Sequence, residues 1–447
     1  MKNIISLFGS GRLAGQSLVA FGFRLLGAAV SFALSWMIAR RFGPQGSGLF
    51  GLAASTIQFL GYVAIGGLDV VVVRAIAGNM RVGKDSEARG SVVSCFIIVL
   101  VISVSLSTLL HKYIDIVCRG ILHSSDVIPL MQIMFWSVIP VSLARLASAT
   151  LRAHQKVAIS QFIDGPAQTG FVVIFVAIMI VIGGRLNLVD IALASLIGVT
   201  LTMLFGWYLY ANSSVSRGPK DRISTFATVA AGIPILVAAI SNSAVEWLSN
   251  VLIAENLSTV DVGVFRTAWQ IVALLGLVQV AFDSIIGPRL AALWKVGDLS
   301  SIAIVSTRMS LLAMGLASPV VFAIMIFPQD ILGLFGHKFV IGSSALQVLV
   351  VGQIIRLASG PLGSILVMSG SRLWVYLYSM VNIATFLIVS HWLIGGYGLV
   401  GASAATVITI CVRGLFTAIV VRLRLGVPVF DWHILRRALT IREVVSK

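Results

Sequence analysis

Twelve stretches of about 20 mostly apolar residues divide this chain, and each is long enough to cross a bilayer core as a helix. They run over residues 17–38, 49–73, 91–110, 128–147, 157–182 and 188–210, then 231–254, 267–286, 309–327, 345–368, 374–394 and 399–421. Hydrocarbon offers no water to unpaired peptide groups, so a spanning segment of this length satisfies its backbone internally, as a helix. Pro166, Pro234, Pro319 and Pro361 fall inside these stretches, where membrane helices tolerate them. Only 11% of the 447 residues are charged, mean hydropathy is +1.03, and soluble domains carry about 25% charged residues. The composition excludes a water-soluble fold of this size and leaves little chain for an extramembrane domain. The first stretch is too long for a cleaved signal peptide and holds Arg24, so it reads as a retained helix.

The net charge of +16 would suggest nucleic acid in a soluble chain, but in a membrane protein it sets orientation. With the N-terminus in the cytoplasm, 21 of the 32 Lys and Arg residues fall in cytoplasmic segments, among them Arg81, Lys84, Arg89, Arg217, Lys220 and Arg222. Seven fall in outside loops, and Arg24, Arg145, Arg356 and Arg413 lie within spans. Both termini are therefore expected in the cytoplasm. The tail at 426–447 mixes Arg436 and Arg437 with Phe430, Trp432, Ile434 and Leu435, a pattern suited either to an anionic membrane surface or to plain solvation.

The two sets of six spans echo one another. GPQGSGLFGLA after the first span aligns with STVDVGVFRTA after the seventh, pairing Gly48, Phe50 and Ala53 with Gly263, Phe265 and Ala268 at an offset of 215. Asp69 and Arg74 align with Asp283 and Arg289, Lys156 aligns with Arg372, and LVDIALAS aligns with LVGASAAT, all at similar offsets. An even number of helices gives both copies the same orientation, related by an axis along the membrane normal. The expectation is an all-α integral membrane protein with about 12 transmembrane helices. They would form two parallel six-helix lobes around a central cavity: 1–212, a cytoplasmic linker at 213–224, and 225–425 before the tail.

Ionisable groups at mid-membrane cost roughly 2.5 to 3.5 kcal/mol each, so each needs a reason. Ser17, Arg24 and Ser31 form one stripe on the first span, and Gln161, Asp164 and Gln168 another on the fifth. Asn242, Glu246 and Asn250 share a face of the seventh span, Gln353, Arg356 and Gly360 lie on the tenth, and Arg413 lies on the twelfth. These stripes either line a wet cavity whose arginines attract an anionic headgroup or make interhelical hydrogen bonds. Arg145, near a helix end, reads as structural. Asp164 and Glu246 are candidates for a coupling ion or for counter-ions to the arginines. Asp69, Arg74, Asp283 and Arg289 stand near the cytoplasmic ends of spans two and eight. Spacings of five and six residues keep partners off one helical face, so each is expected to pair with another helix, in a structural or gating role.

No Walker loop, HExxH, GxSxG or zinc spacing occurs, and Cys95, Cys118 and Cys411 are scattered, so no cofactor, metal or catalytic centre is expected. The segments RRFGPQGSGLFGLA, GGLDVVVVRAIAG, LRAHQKVAISQF, DVGVFRTAWQIVALL, the block at 327–374 and GGYGLVGASAATVI, in this order, resemble the landmarks of the polysaccharide-transport flippases. That family shares a superfamily with MATE exporters and lipid II flippases, and the likeness runs over about residues 12–425. Phe50 and Phe265 stand where many relatives have Tyr, and the two further spans of lipid II flippases are absent.

The resemblance implies transfer of an undecaprenyl-pyrophosphate-linked oligosaccharide between leaflets of the bacterial inner membrane. The products would be O-antigen, capsule or exopolysaccharide, with membrane lipids around the protein and a glycan polymerase and chain-length machinery as partners. Arg24, Arg356 and Arg413 would then meet the pyrophosphate. Two rivals follow from the same inventory. A drug or cation antiporter of this fold would favour acidic and aromatic groups, whereas the spans here are at least as basic as acidic. A glycan polymerase or ligase would carry a large outside loop, and the loops at 111–127 and 328–344 are short.

Overall fold

The computed structural model describes residues 11–81, 85–184, 186–212, 225–368, 372–429, 431, 433–434 and 436. The expected linker at 213–224, the tail beyond residue 436 and the side chain of Ser17 lie outside what is described. All the described regular structure is helical, and no strand occurs among the described residues. In chain order the helices are α1 (Gly11–Ile65), α2 (Leu68–Arg81), α3 (Asp85–Lys112), α4 (Ile128–Met134), α5 (Val138–Ala153), α6 (Val157–Phe162), α7 (Gln168–Val181) and α8 (Leu188–Ala211). They continue as α9 (Thr225–Asn256), α10 (Thr259–Val296), α11 (Leu299–Ile326), α12 (Pro328–Gly333), α13 (Ser343–Ser359), α14 (Leu362–Met368) and α15 (Arg372–Leu423).

Among the described residues, nine helical stretches are long and apolar enough to cross a membrane. Two of them, Val19–Ile65 with 47 residues and Leu373–Leu423 with 51, are far longer than one crossing needs. Each bends at a glycine with positive φ, Gly43 (66°) and Gly398 (56°), between two of the apolar runs. Elsewhere the backbone divides what hydropathy joins. The run at 49–73 is broken at Gly66 and Gly67 (φ 59° and 72°), and that at 345–368 at Gly360 (φ 60°), next to Pro361. Left-handed backbone is cheap only for glycine, and proline withholds an amide from the helix, so apolar side chains carry on through a stop in the hydrogen bonding. The run at 157–182 holds a π-turn at Ile163–Ala167 around Pro166.

The chain forms two compact units, 1–263 and 264–447, dividing within α10. The first therefore takes in α9, beyond the linker expected at 213–224. α9 packs along α1 and α2 there: Phe59 and Trp247 stack at 4.6 Å with 2° between their planes, and Trp247 Nε1 donates to Thr56 Oγ1 at 3.1 Å. The core of this unit gathers Leu68, Ile76, Cys95, Leu146 and Ile163, all at most 2% exposed. α5 and α8 meet where Gly206 approaches Ala147 and Ile163, and Trp207 Nε1 donates to the Leu143 carbonyl at 3.1 Å. The second unit is built on Ile286, Leu290, Ile302, Ile365 and Val421, covered by Val427 and Val429 of the chain after α15.

One backbone crossing ties the repeat to packing. A Cβ on Gly48 would fall 1.7 Å from the Thr259 carbonyl oxygen, and one on Gly263 would fall 2.0 Å from the Pro44 carbonyl oxygen. Both glycines and both carbonyls are related by the offset of 215 read from the sequence. The contact is thus self-complementary: each glycine admits the carbonyl four residues before the other.

Candidate functional site: two guanidinium clusters

In the first unit α1 and the π-turn approach closely because α1 presents Gly27 and the π-turn presents Gly165 and the Pro166 ring at the crossing. A Cβ on Gly27 would sit 3.0 Å from Gly165 Cα and 3.1 Å from Pro166. One turn before Gly27 stands Arg24, and next to Gly165 stands Asp164. The crossing therefore brings the two charges within electrostatic range, with Phe23 and Phe162 in edge contact beside them at 5.3 Å. Both charged side chains are exposed. Near Asp164 the Ser148 hydroxyl stands 2.8 Å from that of Ser160, and both serines are fully buried.

Asp164 also senses Arg145, Arg152 and Asp69, and Arg24 senses Arg152 and Tyr62. Three guanidinium groups thus face two carboxylates. Arg145 is held tightly: its guanidinium lies 3.8 Å above the Tyr62 ring, and Nη2 donates to Gln58 Oε1. Its Nε is buried without a hydrogen-bond partner among the described residues, and a stranded donor of this kind costs about 1 to 3 kcal/mol.

The second unit holds a smaller version. Arg356 near the end of α13 senses Arg413, Tyr378 and Asp283. Arg413 lies 5.7 Å over the Tyr378 ring, so the cluster is two arginines, one aspartate and one tyrosine. One turn before Arg356, Gln353 is 4% exposed, and its Nε2 has no partner among the described residues. Gln279 Nε2 fixes the α13–α14 break by donating to the Gly360 carbonyl at 3.1 Å.

The structure therefore gathers Arg24, Asp164 and Asp69 in one cluster and Arg356, Arg413 and Asp283 in another. Arg74 and Arg289 are exposed on α2 and α10, away from helical register with Asp69 and Asp283. Glu246 is exposed on α9, its backbone carbonyl accepting from Asn250 Nδ2 at 3.2 Å, and no ion pair reaches its carboxylate among the described residues.

Arg152, Tyr62, Ser148 and Tyr378 join the clusters without a stripe in the sequence to announce them. A signal for one of them, Ser148, was nonetheless available. The tetrapeptide Arg-Leu-Ala-Ser occurs at 145–148 and again at 356–359, an offset of 211 that matches the repeat. It marks Arg145 and Arg356 as equivalent positions and explains why Ser148 and Ser359 follow them by one turn.

No group of three His, Cys, Asp or Glu residues able to hold a metal occurs among the described residues. Cys118 lies in a separate turn, Ile116–Ile121, where burial, with Asp115 adding to it, pushes the thiol up to about 11. That thiol is not a nucleophile at neutral pH.

The family described as polysaccharide biosynthesis protein matches residues 16–294. A probable low-salt glycan biosynthesis flippase of Haloferax volcanii is 24% identical over 414 residues, covering 91% of this chain and 83% of that one. A second probable flippase of the same organism is 24% identical, covering 89% and 81%. Among solved structures, an inward-facing multidrug resistance MATE transporter of the MOP superfamily shares the fold with a TM-score of 0.76 at 18% identity, covering 92% of this chain and 98% of its own. A MOP superfamily transporter from Pyrococcus furiosus, reported to have a binding pocket of reversed polarity, gives 0.69 at 17% identity, with 95% and 98% covered. The chain is a multi-pass membrane protein of MATE-like fold, and with a match over more than half its length it belongs to the polysaccharide biosynthesis protein family.

Proposed function

We propose that this protein is a flippase that carries an undecaprenyl-pyrophosphate-linked oligosaccharide from the cytoplasmic to the periplasmic leaflet of a bacterial inner membrane, for O-antigen, capsule or exopolysaccharide assembly. The observation that carries the reading is that membrane-spanning helices of each unit gather more guanidinium than carboxylate groups. Arginine's planar fork matches phosphate oxygens, and a desolvated guanidinium keeps its charge where lysine would lose it. A sugar head stripped of water forfeits its hydrogen bonds and needs a polar route, while a polyprenyl tail stays in lipid. Family membership and the names of the two archaeal relatives support a glycan flippase. Alternating access suits a duplicated transporter of parallel repeats. A glycan polymerase and its chain-length machinery would receive the product. No step in this transfer needs a catalytic group.

The test is reconstitution into vesicles carrying a labelled lipid-diphosphate oligosaccharide in one leaflet. The wild type should move label to the far leaflet, and Arg24→Gln and Arg356→Gln should each slow this at least about tenfold, as loss of a charge-assisted phosphate contact predicts. Unchanged leaflet distribution, with export of a cationic drug instead, would replace this reading with an antiporter in which Asp164 and Glu246 bind the coupling ion.

A further inference from the structure

The repeated tetrapeptide places one arginine of the pair in each unit. Arg145 and Arg356 occupy equivalent places in the duplication, on α5 and α13, yet each is surrounded by groups from its own unit. Arg145 sits on Tyr62 and Gln58 with Arg24, Arg152, Asp164 and Asp69 in electrostatic range of the same cluster. Arg356 has Arg413, Tyr378 and Asp283. Each cluster has one more guanidinium than carboxylate, an arginine over a tyrosine ring, and a serine one turn past the repeated arginine.

We propose that each unit contains its own diphosphate-binding station, with Arg145 the fixed donor of the first and Arg356 that of the second. Arg145 is thereby a ligand-binding residue as well as a structural one. Three features argue for an anion rather than for internal pairing alone. The guanidinium of Arg145 is braced by an aromatic face and an amide oxygen, neither of which neutralises it. Its buried Nε has no acceptor among the described residues. Arg24 and Arg152 expose their side chains in the same cluster, and neither is held in an ion pair among the described residues. A diphosphate offers several acceptor oxygens and matches the donor surplus, whereas a cation would meet net positive charge at both stations.

This inference rests on the diphosphate-linked substrate proposed above, and the experiment separates the two. Inorganic pyrophosphate is titrated calorimetrically into the full chain in nanodiscs of phosphatidylcholine, a lipid without net charge. The expected stoichiometry is two per chain, falling to one in Arg145→Gln and to one in Arg356→Gln, with the double variant silent. Gln58→Leu removes one brace and keeps the charge, so it should weaken one of the two sites at least about threefold without abolishing it. That variant keeps the test valid if Arg145→Gln fails to fold. A single site in the wild type, lost on either substitution, overturns the two stations while leaving the flippase intact. Two sites unaffected by both Arg145→Gln and Gln58→Leu would return Arg145 to a purely structural role. Absence of pyrophosphate binding also defeats the stations, whereas the flippase reading stands or falls by the leaflet assay.

Discussion

At the scale of single residues, glycine decides more here than any charged group. Gly48 and Gly263 admit one another's neighbouring carbonyls, and a methyl at Gly48 would have to overlap the Thr259 oxygen, a backbone atom with no rotamer to escape into. Gly48→Ala and Gly263→Ala should each destabilise the protein by about 1 to 3 kcal/mol, the usual range for overpacking a tight contact. Because both open the same crossing, the double variant should lose clearly less than the sum. Denaturant unfolding in micelles measures all three, and strictly additive effects would show that the two approaches are independent. The pairing of these glycines was legible in the sequence, since the offset of 215 aligned them before any coordinate did. Their contact was not, because alignment names equivalent positions and says nothing about which ones touch. Arg24 and Asp164 show the same limit. Helical spacing put each on a polar stripe, but only the close crossing at Gly27 and Gly165 brings the stripes together.

At the scale of helices, hydropathy located the apolar runs and missed their interruptions. All twelve runs fall largely on helix, yet the breaks at Gly66–Gly67 and Gly360–Pro361 lie inside them, where side chains remain apolar while the backbone reverses sign in φ. The start of α11 shows where local chemistry does mark a boundary. Asp298 accepts from the Ser301 amide at 3.0 Å and from the Ser301 hydroxyl at 2.6 Å, an N-cap outside the apolar run. Those two hydrogen bonds favour the carboxylate and hold Asp298 below its ordinary value. A depressed native value means that the cap's stabilisation is complete above the ordinary carboxylate range and is lost as pH falls through the lowered one. Hydrogen exchange at the Ser301 amide should therefore accelerate relative to mid-helix amides as pH drops below about 4. Asparagine caps as well as aspartate but does not titrate, so Asp298→Asn should remove that acid dependence. Persistence of the same pH profile in Asp298→Asn would assign the fraying to another group.

For the molecule as a whole, the sequence repeat and the compact units divide the chain in different places. The repeat begins its second copy with the run at 231–254, whereas α9, which contains that run, packs with the first unit through the stacked Phe59 and Trp247. The repeat groups positions by sequence and packing groups them by contact, and the stacked pair belongs to the second grouping. If the protein works by movement of one unit against the other, α9 should move with the first. A disulfide or short bifunctional link between Phe59→Cys and Trp247→Cys, made in a background with Cys95, Cys118 and Cys411 replaced by serine, would lock α9 to α1. Flipping of labelled lipid-linked oligosaccharide should survive the link at close to the rate of the reduced double variant, since nothing within a rigid unit is restrained by it. Loss of transport on crosslinking, restored by reductant, would mean that α9 slides past α1 in each cycle and that the stacked pair is a contact of one conformation only.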